Sequence, residues 1–285
     1  MRTEQQVLDQ LLSFARQHEA IRAVVLNGSR ANPDLTRDLF TDYDVACYGP
    51  NPRQFVTNQR WLRSLGELVM MQQNNEEDHG TPAFYFLMQF RDGVRIDLSF
   101  HTHAAMAYLG EDTLSTVLLD KDEHIPPLPP ASERGYYTPH PTPQEFADCV
   151  NEIFWCAGNV AKGIQRGELP YAKSMLDEII RPCLVRLLSW YAADRNGWKL
   201  NTGKFGRWLP RHLPPVLWQA YRQTYAGAED EENWQALFTM LRLTREVGLP
   251  LAESLGGVYP LEDDQRMTAY LQRVYTLPPG AVSID

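Results

Sequence analysis

The sequence predicts two units of different class: an α+β domain built on a mixed sheet with flanking helices, then an all-α helical bundle. Three observations carry this expectation. Short β-branched runs alternate with amphipathic segments over the first hundred residues. The stretch from Pro126 to Pro143 holds seven of the chain's 20 prolines, a density that neither helix interiors nor central strands tolerate. Beyond it, each apolar pattern has helical period, with Gly or Pro between segments. The boundary falls near residue 140, giving units of 1–140 and 141–285, and a chain of 285 residues is long enough for two ordinary domains.

Taken in order, residues 4–18 carry apolar positions at helical spacing, and Ile21 to Leu26 reads as a buried strand running into the turn Asn27-Gly28-Ser29. A short helix is expected after that turn. Residues 43–48 form a second strand and 53–65 a helix. Glu67–Gln72, Ala83–Phe90 and Val94–Phe100 read as further strands, the last two joined through Arg91-Asp92-Gly93, a hairpin signal. Residues 101–110 look helical and 113–119 extended. In the second unit, 143–166, 170–195, 214–225, 231–247 and 262–275 are the expected helices.

Composition narrows the function. With 44% hydrophobic and 22% charged residues the chain matches a globular protein with a real core. No run reaches the roughly 20 apolar residues of a membrane span, and the amino terminus lacks a secretory pattern, so a cytoplasmic protein is expected. The cysteines Cys47, Cys149, Cys156 and Cys183 form no Cys-x-x-Cys pair, which argues against structural zinc. His101-x-His103 has no third ligand nearby in sequence and is read as non-metal. Net charge is −9, and residues 1–140 carry 19 acidic against 12 basic side chains. Such a surface repels nucleic-acid backbones and steers cationic small molecules inward.

The chemistry-bearing segment is Gly28-Ser29 followed by Asp42-x-Asp44. Side chains two apart on a strand share a face, so both carboxylates are expected to point the same way. Two like charges about 5 Å apart repel by roughly 3 kcal/mol at an effective dielectric near 20, a cost that a divalent cation relieves. Hard oxygen donors suit Mg²⁺. Asp97 supplies a third acid from a later strand, with Ile96 and Leu98 on the opposite face, and can bridge a second cation or accept a proton. Gly28, Ser29 and a following helix N-terminus can cradle phosphate oxygens, with Arg30 as an added cation. Each piece alone occurs by chance in surface turns; the ordered combination points to a metal-dependent catalytic site.

This pattern resembles the nucleotidyltransferase superfamily related to DNA polymerase β, and more closely the aminoglycoside 6-adenylyltransferases, or streptomycin adenylyltransferases. The similar segments are Leu26–Asn32, Phe40–Asp44 and Gly93–Leu98 in the first half, and Tyr171–Pro182, Gly203–Gly206 and Glu232–Phe238 in the second. The resemblance implies transfer of AMP from ATP to a hydroxyl of a cationic aminoglycoside, with pyrophosphate released and the antibiotic inactivated. It also implies that Asp42 and Asp44 hold Mg²⁺, that Asp97 deprotonates the acceptor, and that the helical half binds the acceptor.

Lys173, Asp177 and Arg181 recur at every fourth residue and share a helix face. From spacing alone they form a surface ion-pair ladder; the resemblance makes Lys173 a phosphate contact and Asp177 and Arg181 acceptor contacts. Lys204, in a Gly-Lys-Phe-Gly loop, is either a phosphate ligand or a loop charge. Trp208, Tyr225 and Trp234 are candidates to wall the acceptor pocket, against the plainer reading of core aromatics. Two alternatives stay open: a different acceptor such as a lincosamide or a protein side chain, or a silent nucleotide-binding regulator.

Overall fold

A computed structural model describes residues 1–278 and 281–284. The chain divides into two compact units, Met1–Gly135 and Tyr136–Asp285.

The first unit opens with α1 (Glu4–Gln17), started by a reciprocal cap in which Thr3 accepts from Gln6 N–H while the Gln6 side chain accepts from Thr3 N–H. Six strands follow: β1 (Ala23–Asn27), β2 (Tyr43–Gly49), then after α2 (Gln54–Thr57) β3 (Leu68–Asp78), β4 (Thr81–Phe90), β5 (Arg95–Thr102) and β6 (Ser115–Asp120). They form one sheet in the order β3-β4-β5-β2-β1-β6. β2 and β5 run parallel while the remaining neighbours are antiparallel, so the sheet is mixed.

Strand alternation divides the unit into two unequal faces. Val24, Leu26, Tyr43, Val45, Cys47, Phe84, Phe86, Ile96, Leu98 and Phe100 pack with Val7, Leu11 and Phe14 of α1 and with Trp61 into the main core. The other face bears only a small apolar cluster, Ala23, Val25, Ala46, Tyr48 and Ala105, and leaves its polar side chains available for chemistry. Three local expectations differ from the structure in extent or type. The helix expected over 53–65 breaks into α2 and a 3₁₀ turn at Arg60–Ser64, because Trp61 turns inward and donates its indole N–H to Phe55 O at 2.9 Å. β3 extends to Asp78 because its polar stretch pairs fully with β4. β5 runs on through His101 and Thr102, held by β4 and β2, so only a 3₁₀ turn, His103–Tyr108, remains of the helix expected there.

The second unit is helical: α3 (Pro143–Gln165), α4 (Leu169–Ser174), α5 (Arg181–Asp194), α6 (Leu209–His212), α7 (Pro215–Arg222), α8 (Asp230–Ser254) and α9 (Leu261–Tyr275). Thr142 and Glu145 form a capping box at the start of α3, with Pro143 in the first turn where its missing N–H costs nothing. The single helix expected over 170–195 contains a π turn at Met175–Ile180. Pro182 explains it: lacking an N–H and clashing with the carbonyl four residues back, it forces a wider turn. Cys149 and Cys156 are buried in the bundle core. Among the described residues, no helix is long and apolar enough to cross a membrane.

Gly49, at the end of β2, is fixed by packing. A Cβ there would stand 1.8 Å from the Ala20 carbonyl oxygen, a backbone atom that cannot move aside. Gly49→Ala is expected to destabilise the protein by at least about 2 kcal/mol, read as a lowered midpoint in a urea melt; an unchanged midpoint would remove this packing account.

Candidate active site

The parallel register pairs Asp44 with Asp97, and the β1–β2 register sets Asn27 opposite Asp44. Asp44 and Asp97 therefore project from adjacent central strands onto the face away from α1. Asp42 precedes β2 in the coil, and its carboxylate reaches the same place from the side. Arg95, two residues before Asp97 on the same face, holds Asp97 through two hydrogen bonds of 2.9 and 2.8 Å, and its Nε lies 3.5 Å from an Asp42 oxygen. The three acids thus converge around one cationic side chain.

Charge crowding is strongest at Asp44. Its carboxyl is pushed up to about 6, first by burial and then by the charges of Asp97 and Asp42, with Arg95 acting the other way. The arrangement carries unbalanced negative charge on hard oxygen donors, which fits Mg²⁺. The acid oxygens do not close into a ligand set as they stand: among the described residues, no three His, Cys, Asp or Glu side chains already form a metal-binding group. A guanidinium bridges Asp97 and Asp42 instead.

The Gly28 turn packs directly on this cluster. Gly28 has φ +68°, and a Cβ there would come within 2.7 Å of an Asp44 carboxylate oxygen. Both the backbone conformation and the close approach call for glycine. The helix expected after the turn is one 3₁₀ turn, Gly28–Arg30, and the Gly28 N–H donates to Leu114 O at 2.9 Å. Such a turn has no helix-scale dipole, so any phosphate contact here falls to Ser29 rather than to a helix terminus.

Arg30 departs from the expectation of a phosphate-binding cation. It is buried; its guanidinium donates to Asp42 O at 3.1 Å, Thr41 O at 2.6 Å and Glu4 at 3.1 Å, and it stacks over the Tyr43 ring at 3.6 Å. Arg30 pins the segment that delivers Asp42 and Asp44, and is a positioning residue.

In the helical unit, Lys173 and Arg181 both engage Asp177, at 2.9 and 2.7 Å, which matches the ion-pair ladder. Burial raises the Asp177 carboxyl pKa, but hydrogen bonds from the two cations outweigh it and hold the carboxyl below its usual range. Arg181 is buried, donates to Thr224 Oγ1 and O, and stacks on Tyr225 at 3.8 Å. It fastens the π turn to the segment before α8, and its donors already have partners. Lys173 also donates to Ala226 O at 3.1 Å. Trp234 is buried in the bundle core beside Phe238 and Tyr275, as the plainer reading of a core aromatic has it; helical spacing alone did not distinguish the two. Tyr225 is exposed, Trp208 is half-buried under Arg207 and Arg211, and Lys204 is exposed beside Phe205.

Comparison with known proteins shows the family. The family model for streptomycin adenylyltransferase matches residues 1–274. The chain belongs to the streptomycin adenylyltransferase family. An aminoglycoside 6-adenylyltransferase of Bacillus subtilis (strain 168) is 34% identical over 96% of this chain and 99% of its own length. One from Campylobacter jejuni is 33% identical over 93% of each. The crystal structure of an aminoglycoside 6-adenyltransferase from Bacillus subtilis aligns at 31% identity with a TM-score of 0.49, covering 97% of this chain and all of that one.

Within this streptomycin adenylyltransferase family member, sequence reasoning missed Arg95. The signal was present, since Arg95 and Asp97 are two apart on a strand and must share a face. Asp44 gives a pH test. Its folded-state pKa of about 6 stands above the ordinary 3.8, so ionising it costs nothing below pH 3.8, a growing amount between 3.8 and 6, and the full amount above 6. Without divalent cations, Asp44→Asn should raise stability at pH 8 by about 1–3 kcal/mol, and the gain should vanish near pH 4. Thermal melts in chelator check this; equal midpoints at pH 8 would contradict it.

Proposed function

We propose that this protein transfers AMP from ATP to a hydroxyl, at the 6-position, of an aminoglycoside such as streptomycin, with pyrophosphate as the second product. The reading is supported first by one observation: three carboxylates from two separate chain segments converge on the open sheet face beside the Gly28-Ser29 turn. Family membership supplies the reaction class, and the names of the relatives supply the acceptor class.

Asp42, Asp44 and Asp97 are the residues that would hold Mg²⁺, two ions in the fullest arrangement. The metal, when bound, would neutralise triphosphate charge and the charge that develops on the phosphoryl oxygens and the leaving pyrophosphate. The remaining work falls to side chains. Asp97 accepts the proton of the acceptor hydroxyl, and to do so it exchanges its Arg95 partner for substrate. Arg95 then becomes available to phosphate oxygens. Ser29 grips the terminal phosphates from the turn, while Gly28 keeps the backbone close to Asp44. Arg30, through Asp42 O and Thr41 O, keeps the acid-bearing segment in place, which matters because in-line attack depends on alignment. Lys173, Lys204, Asp177, Tyr225 and Trp208 remain proposed contacts for nucleotide or acceptor in the helical unit, with Asp177 shared between its two cations.

The direct test is mass analysis of streptomycin after incubation with protein, ATP and Mg²⁺. One added adenylyl group is expected, and unmodified drug would overturn the acceptor assignment. Asp97→Asn keeps the size of the side chain and removes the base. Turnover should fall by about 10²–10⁴-fold while ATP binding persists; retained turnover would remove Asp97 from the mechanism.

A further inference from the structure

The face that carries the acids continues past them along β5. Asp97, Ser99 and His101 alternate onto it, and at about 3.3 Å per residue Ser99 lies about 7 Å and His101 about 13 Å from Asp97. There the sheet borders a cavity of about 220 Å³. Tyr48, Tyr85 and Tyr108 contribute aromatic walls, and Asp78, Glu111 and Asp112 contribute carboxylates. Among the described residues, no lysine or arginine lines it.

His101 provides an independent observation. It is 4% exposed, stacked on Tyr48 at 5.1 Å and met edge-on by Tyr85. The Ser99 hydroxyl donates to Val45 O at 3.4 Å, so Ser99 Oγ is left to accept from His101 Nε2, 2.9 Å away. In the tautomer that this network accommodates, the proton sits on Nε2 and Nδ1 presents a lone pair. Nδ1 makes no hydrogen bond, yet an Asp78 carboxylate oxygen stands 3.3 Å from it. Two acceptors held that close repel unless an N–H donor lies between them. Burial lowers the His101 pKa against the opposing charge of Asp78, which favours the neutral ring. The neighbouring turn is fixed in a strained state: His79, at φ 48°, stacks on Tyr108 at 3.8 Å and reaches Asp78 and Glu111 at 3.6 and 3.7 Å.

We propose that this cavity binds a guanidinium or ammonium substituent of the acceptor, its N–H donors shared between His101 Nδ1 and the Asp78 carboxylate and its charge facing the tyrosine rings. Aromatic faces and carboxylates together select a cation, and repel an anion such as nucleotide phosphate. The volume suits one substituent rather than a whole antibiotic. A hydroxyl at Asp97 and a cation about 7–13 Å away along the strand would orient the acceptor at two points.

This assignment rests on the acceptor class proposed above, and the experiment separates the two. Streptomycin affinity is measured by calorimetry without nucleotide, and kinetics with ATP, for wild type, Asp78→Asn and the more exposed Glu111→Gln. Tenfold or greater loss of streptomycin affinity and a matching rise in its KM are expected for Asp78→Asn, with a smaller loss for Glu111→Gln. The KM for ATP should stay within twofold. Wild type that transfers AMP, with both variants keeping acceptor affinity within twofold, would overturn the cavity assignment and leave the reaction standing. Wild type that binds streptomycin through Asp78 but transfers nothing would overturn the reaction and leave the cavity. Wild type that neither binds nor modifies it would overturn both.

Discussion

Parallel pairing between β2 and β5 governs the site. Both are central strands whose alternate residues fill the main core, so their relative register is set by Val45, Cys47, Ile96, Leu98 and Phe100. A slip of one residue would drive Asp44 or Asp97 into that core and an apolar residue out of it. Hydrophobic burial on one face therefore holds two carboxylates side by side on the other, against their mutual repulsion. The acids do not need to attract one another; the core behind them supplies the constraint.

Several features near the acids follow from that enforced crowding. Arg95 offsets part of the negative charge at Asp97 and Asp42. Arg30 braces the segment before β2 through backbone carbonyls and Glu4 of α1, so the cap at Thr3 that starts α1 indirectly supports the placement of Asp42. Glycine at position 28 allows the turn to lie against Asp44. The alanines of the small apolar cluster on this face, Ala23, Ala46 and Ala105, leave room that larger residues would fill.

Much of this was legible in the residues. The β-branched run before Asn27 marked β1, the Arg91-Asp92-Gly93 turn marked the β4–β5 hairpin, and strand parity put Asp97 opposite Ile96 and Leu98. What stayed hidden depended on partners distant in sequence. Arg30 reads as a free cation beside a phosphate-type turn until carbonyls 11 and 12 residues on claim it. The end of β3 is polar on both faces, as an edge strand can be, so alternation gave no signal past Gln72. Trp234 has the same helical spacing whether it faces a core or a pocket; only the packing of α9 against it decides. The π turn had a visible cause in Pro182, although a proline signals a disturbance without specifying its form.

Divalent-cation binding tests the convergence of the acids most directly. Titration with Mn²⁺, followed by electron paramagnetic resonance in the presence of a non-hydrolysable ATP analogue, reports the site without requiring turnover. Single replacement of Asp42, Asp44 or Asp97 by asparagine is expected to weaken Mn²⁺ binding at least tenfold. Three variants that bind the ion as tightly as the unaltered protein would contradict a shared cation site.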